Sequence, residues 1–133
     1  MDKIEAARNI EKELEHFKMH PDFEKDLIGL DLFSSPDPRF LTEFKTCLFL
    51  LRTLGYRAHV ELKSKFEKLK YAPGLYSMRI KTSAKNIRII YSIQRDGTIL
   101  LCGFYERAGK RKTDYTTPIK TAQSRLKELT GGD

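Results

Sequence analysis

Hydrophobic and polar positions alternate most clearly between residues 75 and 106. Tyr76, Met78 and Ile80 alternate with Ser77, Arg79 and Lys81, and Ile87, Ile89, Tyr91 and Ile93 alternate with Arg88, Ile90 and Ser92. A period of two puts each set on its own face of a strand. Three strands are expected, over Leu75 to Lys81, Asn86 to Gln94 and Thr98 to Glu106. Arg95-Asp96-Gly97-Thr98 supplies an Asp-Gly hairpin turn between the last two, where glycine takes a positive φ at little cost. The pattern predicts an antiparallel meander with Arg79 and Arg88 projecting from one face. The rest of the chain is expected to cover the other face and to load the arginine face with positive charge.

Helical spacing surrounds this meander. Residues 2 to 17 read as a helix, opened by a capping-box-like Asp2 and Glu5 and striped by Ile4, Ala7, Ile10, Leu14 and Phe17. Residues 17 to 20 suit a short strand, and Pro21 opens a second helix through Leu30. Ser34-Ser35-Pro36-Asp37-Pro38 is a loop. Asp37 and Pro38 then begin a helix to about Leu54, with Phe40, Leu41, Phe44, Cys47, Leu48 and Leu51 on one side and Gly55 as its stop. This helix is the expected main cover of the sheet. Residues 56 to 73 carry no single period: Lys63, Lys65, Lys68 and Lys70 make a basic approach to the first long strand, while Leu62, Phe66 and Leu69 suit the interior. Residues 116 to 129 read as a final helix, with Ile119, Ala122, Leu126 and Leu129 on one side and Gly131-Gly132 beyond it.

Length adds that 133 residues fit one domain with a real core, 1–133, in which residues 1–16 form an added N-terminal helix. No apolar run approaches a membrane span and no signal-peptide pattern opens the chain, so a cytoplasmic protein with no membrane partner is expected. Cys47 and Cys102 sit in apolar runs and are expected as buried free thiols. His16, His20 and His59 form no ligand-spaced cluster with them, so neither a metal nor another cofactor is expected.

Charge sharpens the picture. The net +7 divides unevenly: residues 1–40 hold 6 Lys/Arg against 10 Asp/Glu, and residues 41–133 hold 19 against 8. A polyanion or an acidic partner suits the C-terminal part. Arg79 and Arg88, on adjacent strands, can converge on one phosphate, since a guanidinium is a permanent charge in a fork that fits phosphate oxygens; arginines paired with Asp or Glu at a sheet surface are the plain alternative. Lys68, Lys70, Lys110, Arg111 and Lys112 flank the two ends of the sheet and suit nucleic-acid phosphates, or simply water. Lysines crowded by other cations lose proton affinity, which makes Lys68 or Lys110 conceivable bases. Tyr115 can stack on a base, relay a proton or merely pack; Tyr91 reads as core, and Tyr76 lies between core and stacking platform.

Several segments then look familiar in their order and spacing. Lys68-Leu69-Lys70 leading into Gly74-Leu75-Tyr76-Ser77-Met78-Arg79-Ile80 resembles the RelE/ParE toxin superfamily of type II toxin–antitoxin systems, most closely its HigB-like, phage-derived branch. So do Asn86-Ile87-Arg88-Ile89-Ile90-Tyr91, Ile99-Leu100-Leu101-Cys102-Gly103-Phe104, and the basic loop ahead of a helix with Ala122 and Arg125-Leu126. His20-Pro21-Asp22-Phe23-Glu24-Lys25-Asp26-Leu27 is similar to that family's first strand running into its first helix. The resemblance spans roughly residues 17 to 129. It implies an α+β fold of two or three N-terminal helices on a twisted antiparallel sheet of about four strands, plus a C-terminal helix.

It also implies one of two activities. RelE- and HigB-like members cut mRNA on the ribosome without a metal, and ParE-like members poison DNA gyrase without being nucleases. Either kind is neutralised by a cognate antitoxin, here expected to be a helix-turn-helix protein; an inactive relative that serves only as a binding partner is a third possibility. For an endoribonuclease of this kind the implied catalytic residues are Arg79, Arg88, Lys68, Lys110 and Tyr115. Lys70, Arg107, Arg111, Lys112 and Tyr76 are the implied RNA contacts. Three departures stand out. The helix over residues 2–16 precedes the usual family start, Phe104-Tyr105-Glu106-Arg107 replaces a phenylalanine followed by two lysines, and no histidine lies in the C-terminal half.

Overall fold

The helices begin where capping chemistry allows. In the computed structural model, which describes residues 3–30, 37–83, 85–106 and 114–131, Asp37 accepts the Arg39 amide at 3.0 Å. Pro38 then opens the helix that organises the core. His20 does the same work one helix earlier: its Nδ1 accepts the Asp22 amide at 3.0 Å, ahead of Pro21. The chain runs α1 (Lys3–Leu14), β1 (Lys18–Met19), α2 (Pro21–Gly29), α3 (Pro38–Leu54), a single 3-10 turn at Gly55–Arg57, and α4 (Ala58–Glu61). It continues through β2 (Phe66–Lys68), β3 (Leu75–Lys81), β4 (Asn86–Gln94), β5 (Gly97–Tyr105) and α5 (Thr116–Thr130). Gly55 closes α3 at φ +54°, a conformation that costs a residue with a Cβ about 1 kcal/mol or more. The loop residues Ser34, Ser35 and Pro36, the side chains of Ile4 and Ala7, and Gly132 lie outside the described residues.

These elements make an α+β fold whose sheet differs from the expected one. Among the described residues it has five strands rather than about four, in the order β1-β5-β4-β3-β2, and it is mixed: β1 runs parallel to β5 while the remaining neighbours are antiparallel. Two short strands account for the change. β1 leads into the helical layer and returns to the sheet beside its last strand, where Lys18 pairs with Ile99 and Met19 with Leu100. β2 is three residues inside the lysine-rich stretch, too short for alternation to announce it. The hairpin joining β4 to β5 turns on Arg95 and Asp96, with Gly97 already paired to Gln94 and holding the positive φ.

One face of the sheet meets α2 and α3, and α1 packs on α3. Met78, Ile80, Ile87 and Ile89 close against Phe40, Phe44, Cys47, Leu48 and Leu51, all essentially without solvent exposure. Fully burying a side chain of this size stabilises by roughly 1.5–3 kcal/mol. α1 belongs to this layer: Ile10 and Leu14 are buried, and its Glu13 takes the Arg52 guanidinium of α3 at 3.2 and 3.3 Å. α2 approaches the backbone of β5 at Gly103, where a Cβ would lie 3.4 Å from Leu30 and 3.6 Å from Phe23.

The second face is not an open basic surface. Between the pairs Ile90–Cys102 and Tyr91–Leu100 the β4–β5 register shifts, and Leu101 is the extra residue. Around it Leu75, Ile90 and Cys102 form a second apolar cluster with Leu69 and Ala72, closed by Ala122 of α5. Thus α5 covers one half of this face. Polar joints fix it there. Arg125 donates to both Asp26 oxygens at 2.6 and 3.2 Å and to the Leu101 carbonyl at 2.8 Å, while Asp26 also accepts the Gly103 amide at 3.0 Å. His20 Nε2 meets Glu128 at 2.7 Å; because Nδ1 is an acceptor, the neutral ring donates from Nε2.

Both cysteines are buried free thiols. Burial pushes Cys47 up to about 12 and Cys102 up to about 11 from an ordinary 9.0. The folded chain keeps these protons where the unfolded chain releases them. Their linked stability is therefore intact below about pH 9 and declines as pH rises from there towards 11 and 12. Iodoacetamide at pH 8 is expected to leave both thiols unmodified until denaturant unfolds the chain, a result that intact-mass measurement reads directly.

Candidate functional site

The half of the second face that α5 leaves uncovered carries the arginines. Arg79 and Arg88 are direct cross-strand partners of β3 and β4, so both side chains leave the sheet on the same side. The Arg79 main chain is fixed on two sides: its amide donates to the Lys65 carbonyl at 2.7 Å, and its carbonyl accepts the Cys47 thiol at 3.6 Å. Its guanidinium Nε is buried without a hydrogen-bond partner. A cleft of about 280 Å³ opens beside it, lined by Glu43, Ser64, Lys65, Arg79 and Lys81. Lys65 is committed to Glu43 across this cleft, and that bond holds its ammonium charged by raising its proton affinity.

Arg88 is held differently. Glu106 takes its Nε and NH2 at 3.1 and 3.3 Å in a fork-to-fork pair, and Glu67 takes NH1 at 3.4 Å. The Arg88 and Glu106 side chains are 14% and 12% exposed, whereas Glu67 is 47% exposed. Arg88 is thus a sealed cation with a carboxylate on each side, and Arg79 is the guanidinium with hydrogen-bonding capacity to spare. Tyr115 joins the group from the start of α5: its hydroxyl donates to Glu67 and lies 3.0 Å from the Ser77 hydroxyl. Burial raises its proton affinity, and the bond to Glu67 adds to that, so the phenol stays protonated at neutral pH. Phe104 meets the Tyr115 ring edge-on at 5.9 Å and sets its orientation.

Other candidates fall elsewhere. Lys68 pairs with Tyr76 in the β2–β3 ladder, one residue out of phase with Glu67, and so projects from the opposite face to the arginines. Lys70 is exposed in the turn that joins β2 to β3. Tyr76 is 7% exposed on the helix-covered face, stacked on Tyr91 with ring centroids 5.4 Å apart and planes 19° from parallel. It packs in the core and does not serve as a platform beside Arg79. Arg107, Lys110, Arg111 and Lys112 lie outside the described residues; the chain enters that segment at Glu106, on Arg88, and leaves it for Asp114 and Tyr115.

Glu67 and Ser77 were not singled out by the sequence, and they complete the group. The signal was present in Phe66: an apolar residue paired to the core face commits its successor to the other side. No family model matches the chain, and neither a curated protein nor a solved structure matches it. Fold and site define a class on their own terms: an α+β protein with a mixed sheet, one face of which carries an arginine with a buried, unbonded Nε beside a carboxylate-braced one.

Proposed function

We propose that this chain is the toxin of a type II toxin–antitoxin system, a RelE-like protein of the HigB-like kind that cuts mRNA on the ribosome and is silenced by a cognate antitoxin. The observation that carries this reading is the cross-strand pair Arg79–Arg88, with the Arg79 Nε buried and unbonded at the head of a cleft. A desolvated donor of fixed charge is worth more to a phosphorane than to water, because its stabilisation of developing charge requires little reorganisation. The order of elements supports the same reading: a strand and helices, then a meander, then a helix on the far side, as the resemblance implies. The acidic partner expected of the antitoxin would lie across the Arg79 face and cover it.

A second reading rests on the sealing of Arg88. With Glu106 and Glu67 on that guanidinium, Arg88 does not offer open donors to a phosphate, which suits a protein-binding gyrase poison better than it suits a nuclease. Inducible expression with 5′-end mapping of cellular transcripts separates the two. An mRNA interferase is expected to arrest growth and give cuts at codon boundaries in translated messages. Intact messages with a DNA-damage response would identify the gyrase poison, and harmless accumulation of folded protein would identify an inactive relative.

A further inference from the structure

A carboxylate and a phosphate offer a guanidinium the same pair of acceptor oxygens, so one excludes the other from its fork. Glu106 fills that place at Arg88: one oxygen accepts Nε at 3.1 Å and the other accepts NH2 at 3.3 Å. These adjacent donors are a pair with which an arginine grips a phosphate. Both side chains are nearly sealed, so water and salt do little to weaken the contact. We propose, resting on the interferase reading above, that Glu106 is a built-in brake: its carboxylate occupies the Arg88 fork against the substrate phosphate and holds the rate of cleavage down.

The surroundings of the pair fit a competitor that can withdraw. The Glu106 main chain is anchored, its amide donating to the Asn86 carbonyl at 2.9 Å, so only side-chain torsions need change for the carboxylate to leave the fork. Arg88 keeps a second hold when that happens, since Glu67 takes NH1 at 3.4 Å from β2. The Arg79 Nε is already unbonded, so a phosphate meets Arg79 first and gains Arg88 only by exchange with Glu106.

Charge points the same way. On this face the positive charges of Arg79 and Arg88 are matched by the carboxylates of Glu67 and Glu106, and Tyr115 stays protonated. The group is therefore neutral where a phosphodiester needs net positive charge. A carboxylate at the fork repels the doubly charged phosphorane more than the singly charged phosphodiester, so its removal raises kcat more than it lowers KM.

Single-turnover cleavage of a defined message bound to ribosomes tests this, comparing the full chain with its Glu106→Gln and Glu106→Asp variants. Glutamine keeps the shape and one acceptor but removes the charge. It is expected to raise the cleavage rate about tenfold, part of what a full preorganised donor supplies. The same variant is expected to melt at a lower temperature, because Arg88 loses its closest partner. A faster but less stable chain separates a brake from a brace, whose loss only slows the reaction. Aspartate is too short to span both donors, and its rate is expected to fall between the other two; it also serves where glutamine disturbs the fold. A folded glutamine variant that cuts no faster than the wild-type chain overturns the brake alone. A message left intact by the wild-type chain and both variants overturns the interferase reading, and the brake with it.

Discussion

Arg79→Ala is expected to abolish growth arrest and to reduce message cleavage about 10²–10³-fold, the range seen when one preorganised donor to a transition-state charge is removed. The main-chain bonds of Arg79 to Lys65 and Cys47 do not involve its side chain, and its buried Nε has no hydrogen-bond partner to leave stranded. The melting temperature should therefore change little. Arg79→Lys keeps the charge but loses the fork, and the buried atom at this position is Nε, which lysine does not supply at that point of the side chain. Lysine is therefore expected to recover only a small part of the rate. A folded Arg79→Ala protein that still arrests growth and still cuts would remove the basis of the proposed function.

Asp26→Ala is expected to be the most damaging single change to stability, at about 3–5 kcal/mol, because it strands the partner of a largely buried ion pair. Arg125 would lose both its bonds to Asp26 and keep only the Leu101 carbonyl, and the Gly103 amide would lose its acceptor where α2 lies against β5. The hydrogen bond to Asp26 is also the main reason the Arg125 guanidinium binds its proton more tightly than usual. Removing both partners should cost less than the sum of the single losses, since the stranded charge goes with them. Urea unfolding of the two single variants and the double variant measures the difference. Strict additivity would mean that the Asp26–Arg125 pair has no coupling energy and does not help to hold α5.

The alternation from Tyr76 to Ile93 was enough to place β3 and β4, and the Asp37–Pro38 cap and Gly55 were enough to bound α3. The shared face of Arg79 and Arg88 followed from the same parity. What escaped was set by partners far along the chain. Nothing local in Lys18–Met19 states that this pair joins β5, nor that it does so in parallel. Ile90 and the adjacent pair Leu101–Cys102 put apolar residues on a face read as polar, and they belong to the cover supplied by α5. Without a recognised strand at Phe66–Lys68, nothing local stated that Glu67, and not Lys68, shares the face of Arg79 and Arg88. The sealing of Arg88 had a visible cause in Glu106, a carboxylate among expected lysines, but its fork-to-fork contact emerges only when β4 and β5 are side by side.

The strand at Lys18–Met19 finds its place against Ile99–Leu100, so the sheet cannot be completed during synthesis until the segment carrying β5 has left the ribosome. α2 and α3, made early, must wait with their apolar sides uncovered for the meander that fills them. A nascent chain of this topology is therefore open to chaperones and proteases until β5 emerges and its parallel partner can dock.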